Sequence, residues 1–174
     1  MLGAIRLAWW RERLDDLDIP DGPPIGEPRL EEAERLLVWT VTNGPMLSAL
    51  ADAWLPLLRP FPWDGEVAEG LRERGRLLFW IGGQILGAET SEADAPGAVW
   101  SLVDGANHCS DAESRKFLLS EARKMTADLP RMAKPLRPLT VLSAVATSDA
   151  LGRGRMARVA SAFWHRLTGR FLGG

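Results

Sequence analysis

Apolar residues recur at intervals of three and four along most of this chain, which is the spacing of an amphipathic helix. The first such stripe consists of Leu7, Trp10, Leu14 and Leu17. It predicts a helix over residues 2–17 that turns one apolar side toward the rest of the protein.

The same spacing predicts seven further helices, separated by segments rich in proline and glycine. They cover about residues 30–39, 46–58, 64–86, 95–108, 110–129, 139–150 and a final helix that contains Met156, Val159, Phe163 and Leu167. No run of alternating apolar and polar residues is long enough to require a β-sheet. The sequence therefore predicts an all-α fold, and its 174 residues fit a single helical domain over 1–174.

Local signals mark some of the helix ends. Asp64 precedes the long helix and is predicted to cap it. Ser110 and Glu113 have the spacing of a capping box at the start of the sixth helix, and Asp111 is an alternative cap for the same end. Glycines inside the long helix predict that another helix approaches it closely; these are Gly75, Gly82 and Gly83.

Composition narrows the class of protein. Hydrophobic residues make up 46% and charged residues 25% of the chain, as in a globular protein. Cys109 is the only cysteine, so the chain has neither an intrachain disulfide nor a cysteine-based zinc cluster, which suits the cytoplasm. No apolar run approaches the roughly 20 residues that span a bilayer, and no signal peptide is recognised. We predict a cytoplasmic protein, with peripheral attachment to the inner membrane left open and no nucleic-acid partner.

The last helix concentrates positive charge. After Asp149 the chain has five arginines and no acidic residue. Arginines flank the apolar residues of the final helix; they are Arg155, Arg158, Arg166 and Arg170. Together with Phe163 and its apolar neighbours, they predict a helix that lies on an anionic membrane surface. The alternative is a helix that packs on the body with its arginines in water.

One segment is distinctive beyond its periodicity: Ile5-Arg6-Leu7-Ala8-Trp9-Trp10-Arg11-Glu12. It resembles the LxWWR helix of the squalene/phytoene synthase family, whose members join prenyl diphosphates head to head. The chain is similar to the short, degenerate members of that family found in alphaproteobacteria. The resemblance implies a helical bundle of the isoprenoid synthase type that lacks the family's N-terminal helices.

The family's chemistry requires magnesium ions held by pairs of aspartates four residues apart on facing helices. That spacing directs two hard oxygen ligands at one ion, but this sequence contains no Asp-x-x-x-Asp motif. Asp104 and His108 are four residues apart, yet they form a poor magnesium pair and are better explained as a surface helix end.

We therefore predict a non-catalytic homologue without metal or cofactor, which binds an isoprenoid or acts as an assembly or interaction protein. The alternative is a prenyl transferase of isoprenoid biosynthesis, in which Mg²⁺ would be required and a partner chain could supply the missing acidic helix. A protein partner and a homo-oligomer both remain open.

The resemblance also implies which residues would meet an isoprenoid or a prenyl diphosphate. They are Arg6, Trp9, Trp10, Arg11, Arg72 and Arg76. Alternatives stand beside several of them: Trp10 lies within the leucine stripe and is favoured as core, Trp9 stays undecided, and Arg11 could instead form a salt bridge between helices. His165 is predicted to be a surface residue. No catalytic residue and no metal ligand is predicted.

Overall fold

The computed structural model describes residues 2–19, 26–37 and 42–172, and in these ranges it contains eight α-helices and no β-strand. The helices are α1 (Leu2–Asp15), α2 (Pro28–Leu37), α3 (Gly44–Asp52), α4 (Gly65–Ile85), α5 (Asp94–His108), α6 (Ala112–Met125), α7 (Arg137–Ala150) and α8 (Arg155–Thr168). The predicted all-α class is confirmed. The end of the predicted second helix, residues 38 and 39, lies outside the described residues.

Side-chain caps set several helix starts. The carboxylate of Asp64 accepts hydrogen bonds from the backbone N–H groups of Glu66 and Val67, at 3.1 and 3.3 Å, as the sequence predicts. Asp111 caps α6, accepting from the N–H of Ser114 at 2.8 Å. The capping box predicted from Ser110 is therefore wrong, because the side chain that caps α6 is that of the next residue, Asp111.

The third helix is shorter than its periodicity predicts. It ends at Asp52, and a short 3-10 turn over Leu55–Leu58 follows. Pro56 explains this end, because proline has no N–H to donate to the carbonyl of Asp52 one turn earlier. Its start is well defined, since the side chain of Asn43 accepts from the N–H of Met46 at 2.9 Å.

The core is organised around α5, which packs against α4, α6 and α7. Fully buried side chains from three of these helices meet there; among them are Val67 and Leu71 of α4, Val99 and Leu102 of α5, and Leu118 of α6. Toward the C-terminal end of α4, Phe79 and Ile81 are buried, while Ile85 is 51% exposed.

Helices α4 and α5 cross at a pair of glycines. A Cβ atom on Gly75 would overlap the carbonyl oxygen of Gly97 and approach the Cβ of Ser101 to 2.8 Å. The reverse also holds, since a Cβ on Gly97 would overlap the carbonyl of Gly75. The predicted close approach at Gly75 is thus a backbone-to-backbone contact, and no larger residue fits without separating the helices.

We expect Gly75→Ala to lower the free energy of unfolding by about 1–3 kcal/mol, the usual cost of overpacking a well-packed contact. The matched control is Gly65→Ala, at the first residue of the same helix, where an added Cβ meets nothing within 4 Å. Alanine favours the helical state, so the control should be neutral or stabilising by up to about 1 kcal/mol. Urea denaturation of both variants measures the difference, and equal stabilities would contradict the crossing described above.

Candidate functional site

The tryptophan motif lies on an open surface of the bundle. Helix α1 packs on α3 and contains no fully buried residue. Trp10 is half-buried, Trp9 is 42% exposed, and the two rings meet edge to face with their centroids 5.2 Å apart. An open groove of about 690 Å³ runs along this face. Its lining residues are Leu2, Gly3, Ile5, Arg6, Trp9 and Trp10.

The structure thus brings Arg6, Trp9 and Trp10 together, whereas Arg11 points elsewhere. Its guanidinium lies 3.4 Å from the carboxylate of Asp52 on α3. This is the salt bridge between helices that the sequence offered as the alternative to ligand binding.

The arginines of α4 are engaged with glutamates. Arg72 pairs with Glu69 at 3.1 Å and also with Glu121 of α6. Arg76 pairs with Glu69 at 2.8 Å and with Glu73 at 3.4 Å. The hydrogen bond from Arg76 is the main cause that lowers the pKa of Glu69. The charges of Arg72 and Arg76 are therefore already neutralised by glutamates. Neither arginine is among the residues that line the groove beside Trp9 and Trp10.

Arg74, which lies between Arg72 and Arg76 in the sequence, is buried and connects α4 to α5. Its Nε donates to the hydroxyl of Ser101 at 3.0 Å and its Nη2 pairs with Asp104. The guanidinium also lies 4.5 Å from the ring centroid of Trp54. Asp104 is thus part of a structural ion pair, with the exposed His108 3.3 Å away. Within 2–19, 26–37 and 42–172, no three His, Cys, Asp or Glu residues are grouped so as to hold a metal ion.

Helix α8 presents its small and polar residues to the bundle and its large apolar residues to solvent. Ser161 and His165 are fully buried against α7. The outward side chains are Met156, Val159, Phe163 and Leu167, which are 78, 60, 68 and 60% exposed. At about 100° per residue, these four together with Ala160 and Trp164 cover roughly 140° of the helix circumference. Among the described helices, none has both the length and the apolar character to cross a bilayer.

Polar contacts at the inner face fix this orientation. The hydroxyl of Ser161 donates to the carbonyl of Ala144 at 2.9 Å. The end of the helix is held by donors from other segments: Arg137 Nη1 to Leu167 O at 2.7 Å, Arg131 Nε to Thr168 O at 3.0 Å and Met132 N to Gly169 O at 2.8 Å. These bonds satisfy carbonyls that a helix C-terminus leaves without partners. The outward apolar face is therefore part of a fully anchored helix.

His165 belongs to this anchor, so its predicted surface position is wrong. Its Nε2 lies 2.8 Å from the hydroxyl oxygen of Thr140 and its Nδ1 3.3 Å from the carbonyl oxygen of Arg170. Its ring also packs on Phe171, with centroids 4.4 Å apart. Burial lowers the pKa of His165 below its ordinary value, and the positive charge of Arg137 lowers it further. The hydrogen bond to the carbonyl of Arg170 has the opposite effect and raises the pKa, but burial is the largest cause.

The arginines of α8 differ in their surroundings. Arg158 forms an ion pair with Asp149 at the end of α7. Arg155, Arg166 and Arg170 have no acidic partner within ion-pairing distance in the part of the chain that the structure describes. Positive charge therefore lies beside the outward apolar face without internal neutralisation.

Sequence reasoning identified the apolar and basic residues of α8 but missed its inner contacts. A signal was present: Ala157, Ser161, His165 and Thr168 follow one another at four, four and three residues. That is a second stripe, made of small and polar residues, on the opposite side from the apolar one.

Comparison of the chain with family models, with curated proteins and with solved structures finds no match. The contacts of the chain itself therefore carry the functional argument.

The pKa of His165 is lowered in the folded protein because the side chain is buried. In the unfolded chain this histidine takes up a proton below about pH 6.5, whereas in the folded protein it does so only at lower pH. The stability that depends on neutral His165 is present above that pH and is lost as the pH falls below it. We expect the melting temperature of the wild type to drop further between about pH 7.5 and about pH 5.5 than that of His165→Gln. Thermal melts at both pH values test this, and identical drops would show that His165 does not titrate in this way.

Proposed function

We propose that this protein is a non-catalytic helical protein that attaches to an anionic membrane surface through α8. One observation carries the proposal: the helix is anchored through its small polar face, so that Met156, Val159, Phe163 and Leu167 face outward. Large exposed apolar patches are rare on proteins that have no partner for them.

Charge favours a bilayer over another protein copy as the occupant of this face. Two copies of α8 in contact would bring together Arg155 and Arg166 from both chains, and like charges oppose that contact. An anionic lipid surface instead attracts each of these arginines, by about 1 kcal/mol per residue near the surface. Entry of the apolar side chains into the boundary between headgroups and acyl chains supplies the remainder, roughly 1.5–3 kcal/mol for each fully buried side chain.

The proposal extends to the origin of the fold. The Trp9-Trp10-Arg11 motif and the all-helical architecture support a bundle of the isoprenoid synthase type, similar to degenerate squalene/phytoene synthases. Apolar side chains around Trp9 and Trp10, with Arg6 beside them, suit an isoprenoid chain with an anionic end. The absence of an Asp-x-x-x-Asp motif from the sequence and the ion pairs of Arg72 and Arg76 support binding without condensation.

Flotation with vesicles tests the membrane proposal. Wild-type protein is expected to float with vesicles that contain phosphatidylglycerol and to remain behind with vesicles of phosphatidylcholine alone. Placing carboxylates in the apolar face with the double variant Val159→Asp/Phe163→Asp should reduce the bound fraction by at least about tenfold, since the loss of the burial of two side chains exceeds the 1.4 kcal/mol that corresponds to that factor.

The matched control for flotation is Ile85→Asp. Ile85 is also an exposed apolar residue, 51% accessible, but it lies on α4. If the control loses binding as strongly as the double variant, the attachment is a general effect of surface hydrophobicity and α8 is not the membrane face.

Incubation with farnesyl diphosphate and Mg²⁺ tests the non-catalytic part of the proposal. We expect no release of diphosphate and no joined prenyl product, because the sequence contains no Asp-x-x-x-Asp motif to hold the metal. Product from the protein alone would instead establish the alternative, a prenyl transferase with an unusual ligand set. Product only after a partner chain is added would show that the partner supplies the missing acidic helix.

A further inference from the structure

A second feature of the C-terminal region is a groove between α7 and α8, with a volume of about 480 Å³. Its walls are almost entirely apolar and consist of Val141, Val145, Val159, Ala162 and Phe163. The volume lies within the range of roughly 300–1,000 Å³ that small-molecule sites occupy.

Two arginines border this groove, Arg158 and Arg166. Arg158 is paired with Asp149. Arg166 has no acidic partner among the described residues, so its guanidinium is available to an anion. A guanidinium can bind two oxygens of one phosphate at once. A phosphate therefore matches Arg166 better than an uncharged polar group does.

The groove is continuous with the outward face of α8. Val159 and Phe163 belong to both, so a molecule that leaves a lipid leaflet meets the groove without crossing a polar barrier. The combination of an open apolar groove, a guanidinium without an acidic partner at its border and an adjoining apolar surface fits an amphiphile with one hydrocarbon chain in the groove.

We infer that this groove binds one acyl chain of an anionic phospholipid, whose phosphate is held by Arg166. The inference rests on the proposed membrane attachment and adds a discrete lipid site to it. Surface attachment alone needs only the outward face of α8, whereas the groove selects a lipid with a phosphate group close to its chain.

Dodecyl phosphate, used below its critical micelle concentration, is a suitable probe because it has one chain and one phosphate. Calorimetry should show binding to the wild type. Ala162→Phe places a phenyl ring into the groove and should weaken binding at least about tenfold, because the ring occupies the space of the chain. The matched control is Ala112→Phe, the same change at an exposed position of α6 that neither lines the groove nor belongs to the outward face of α8. It should stay within about twofold of wild type.

The phosphate contact is tested separately with Arg166→Gln. This variant should bind dodecyl phosphate about tenfold more weakly, as expected for loss of one charge-assisted contact, and bind the neutral amphiphile dodecyl maltoside as the wild type does. Should Ala162→Phe fail to fold, Val141→Phe fills the groove from the opposite wall and replaces it.

Flotation separates this inference from the proposed function. An Ala162→Phe protein that floats normally but has lost dodecyl phosphate supports the groove site. A wild type that floats but does not bind dodecyl phosphate, or an Ala162→Phe protein that binds it as tightly as Ala112→Phe, overturns the groove site alone. A wild type that binds dodecyl phosphate but does not float overturns the membrane proposal, and the groove then has no bilayer as its source of lipid.

Discussion

The orientation of α8 is the constraint on which the functional argument depends. Rotating the helix by half a turn would bury its apolar side chains, but it would leave Thr140 and Ala144 without the bonds they make to His165 and Ser161. It would also turn Arg166 toward the bundle. A buried polar group without a partner costs about 1–3 kcal/mol, and an unpaired charge costs more. The observed orientation keeps these bonds and leaves Arg166 at the surface, with the large apolar side chains outside.

Much of the fold could be predicted because its signals are local. Helix positions follow from apolar spacing, and Asp64 caps the very helix it precedes, since capping involves residues only two or three apart. The inner face of α8 could not be predicted in the same way. Its contacts reach Arg137, Thr140 and Ala144, which lie 17 to 30 residues earlier. Spacing shows that a helix has two different faces, but the partner helix decides which one is buried.

The residues predicted to bind an isoprenoid show the same difference between local signals, which the sequence reveals, and contacts between residues that are distant in the sequence. The sequence placed Arg6, Trp9 and Trp10 on one helix, and the structure keeps them along one groove. Arg72 has a different outcome because its partner Glu121 lies 49 residues away on α6. A sequence shows an arginine as a free charge, whereas the fold can supply a carboxylate that occupies it. Periodicity cannot tell a ligand-binding arginine from a structural one.

The proposed membrane attachment has to be compatible with the net charge of −2 of the protein. Screening at physiological salt confines electrostatic attraction to about 8 Å, so only charges near the contact count. After Asp149 the sequence contains arginines and no acid, and Asp149 itself is neutralised by Arg158. In the proposed attachment Arg155 and Arg166 lie nearest the membrane, and screening weakens the repulsion of acidic residues that lie more than about 8 Å from it. A protein of net negative charge can in this way approach an anionic membrane, provided that it approaches with α8 first.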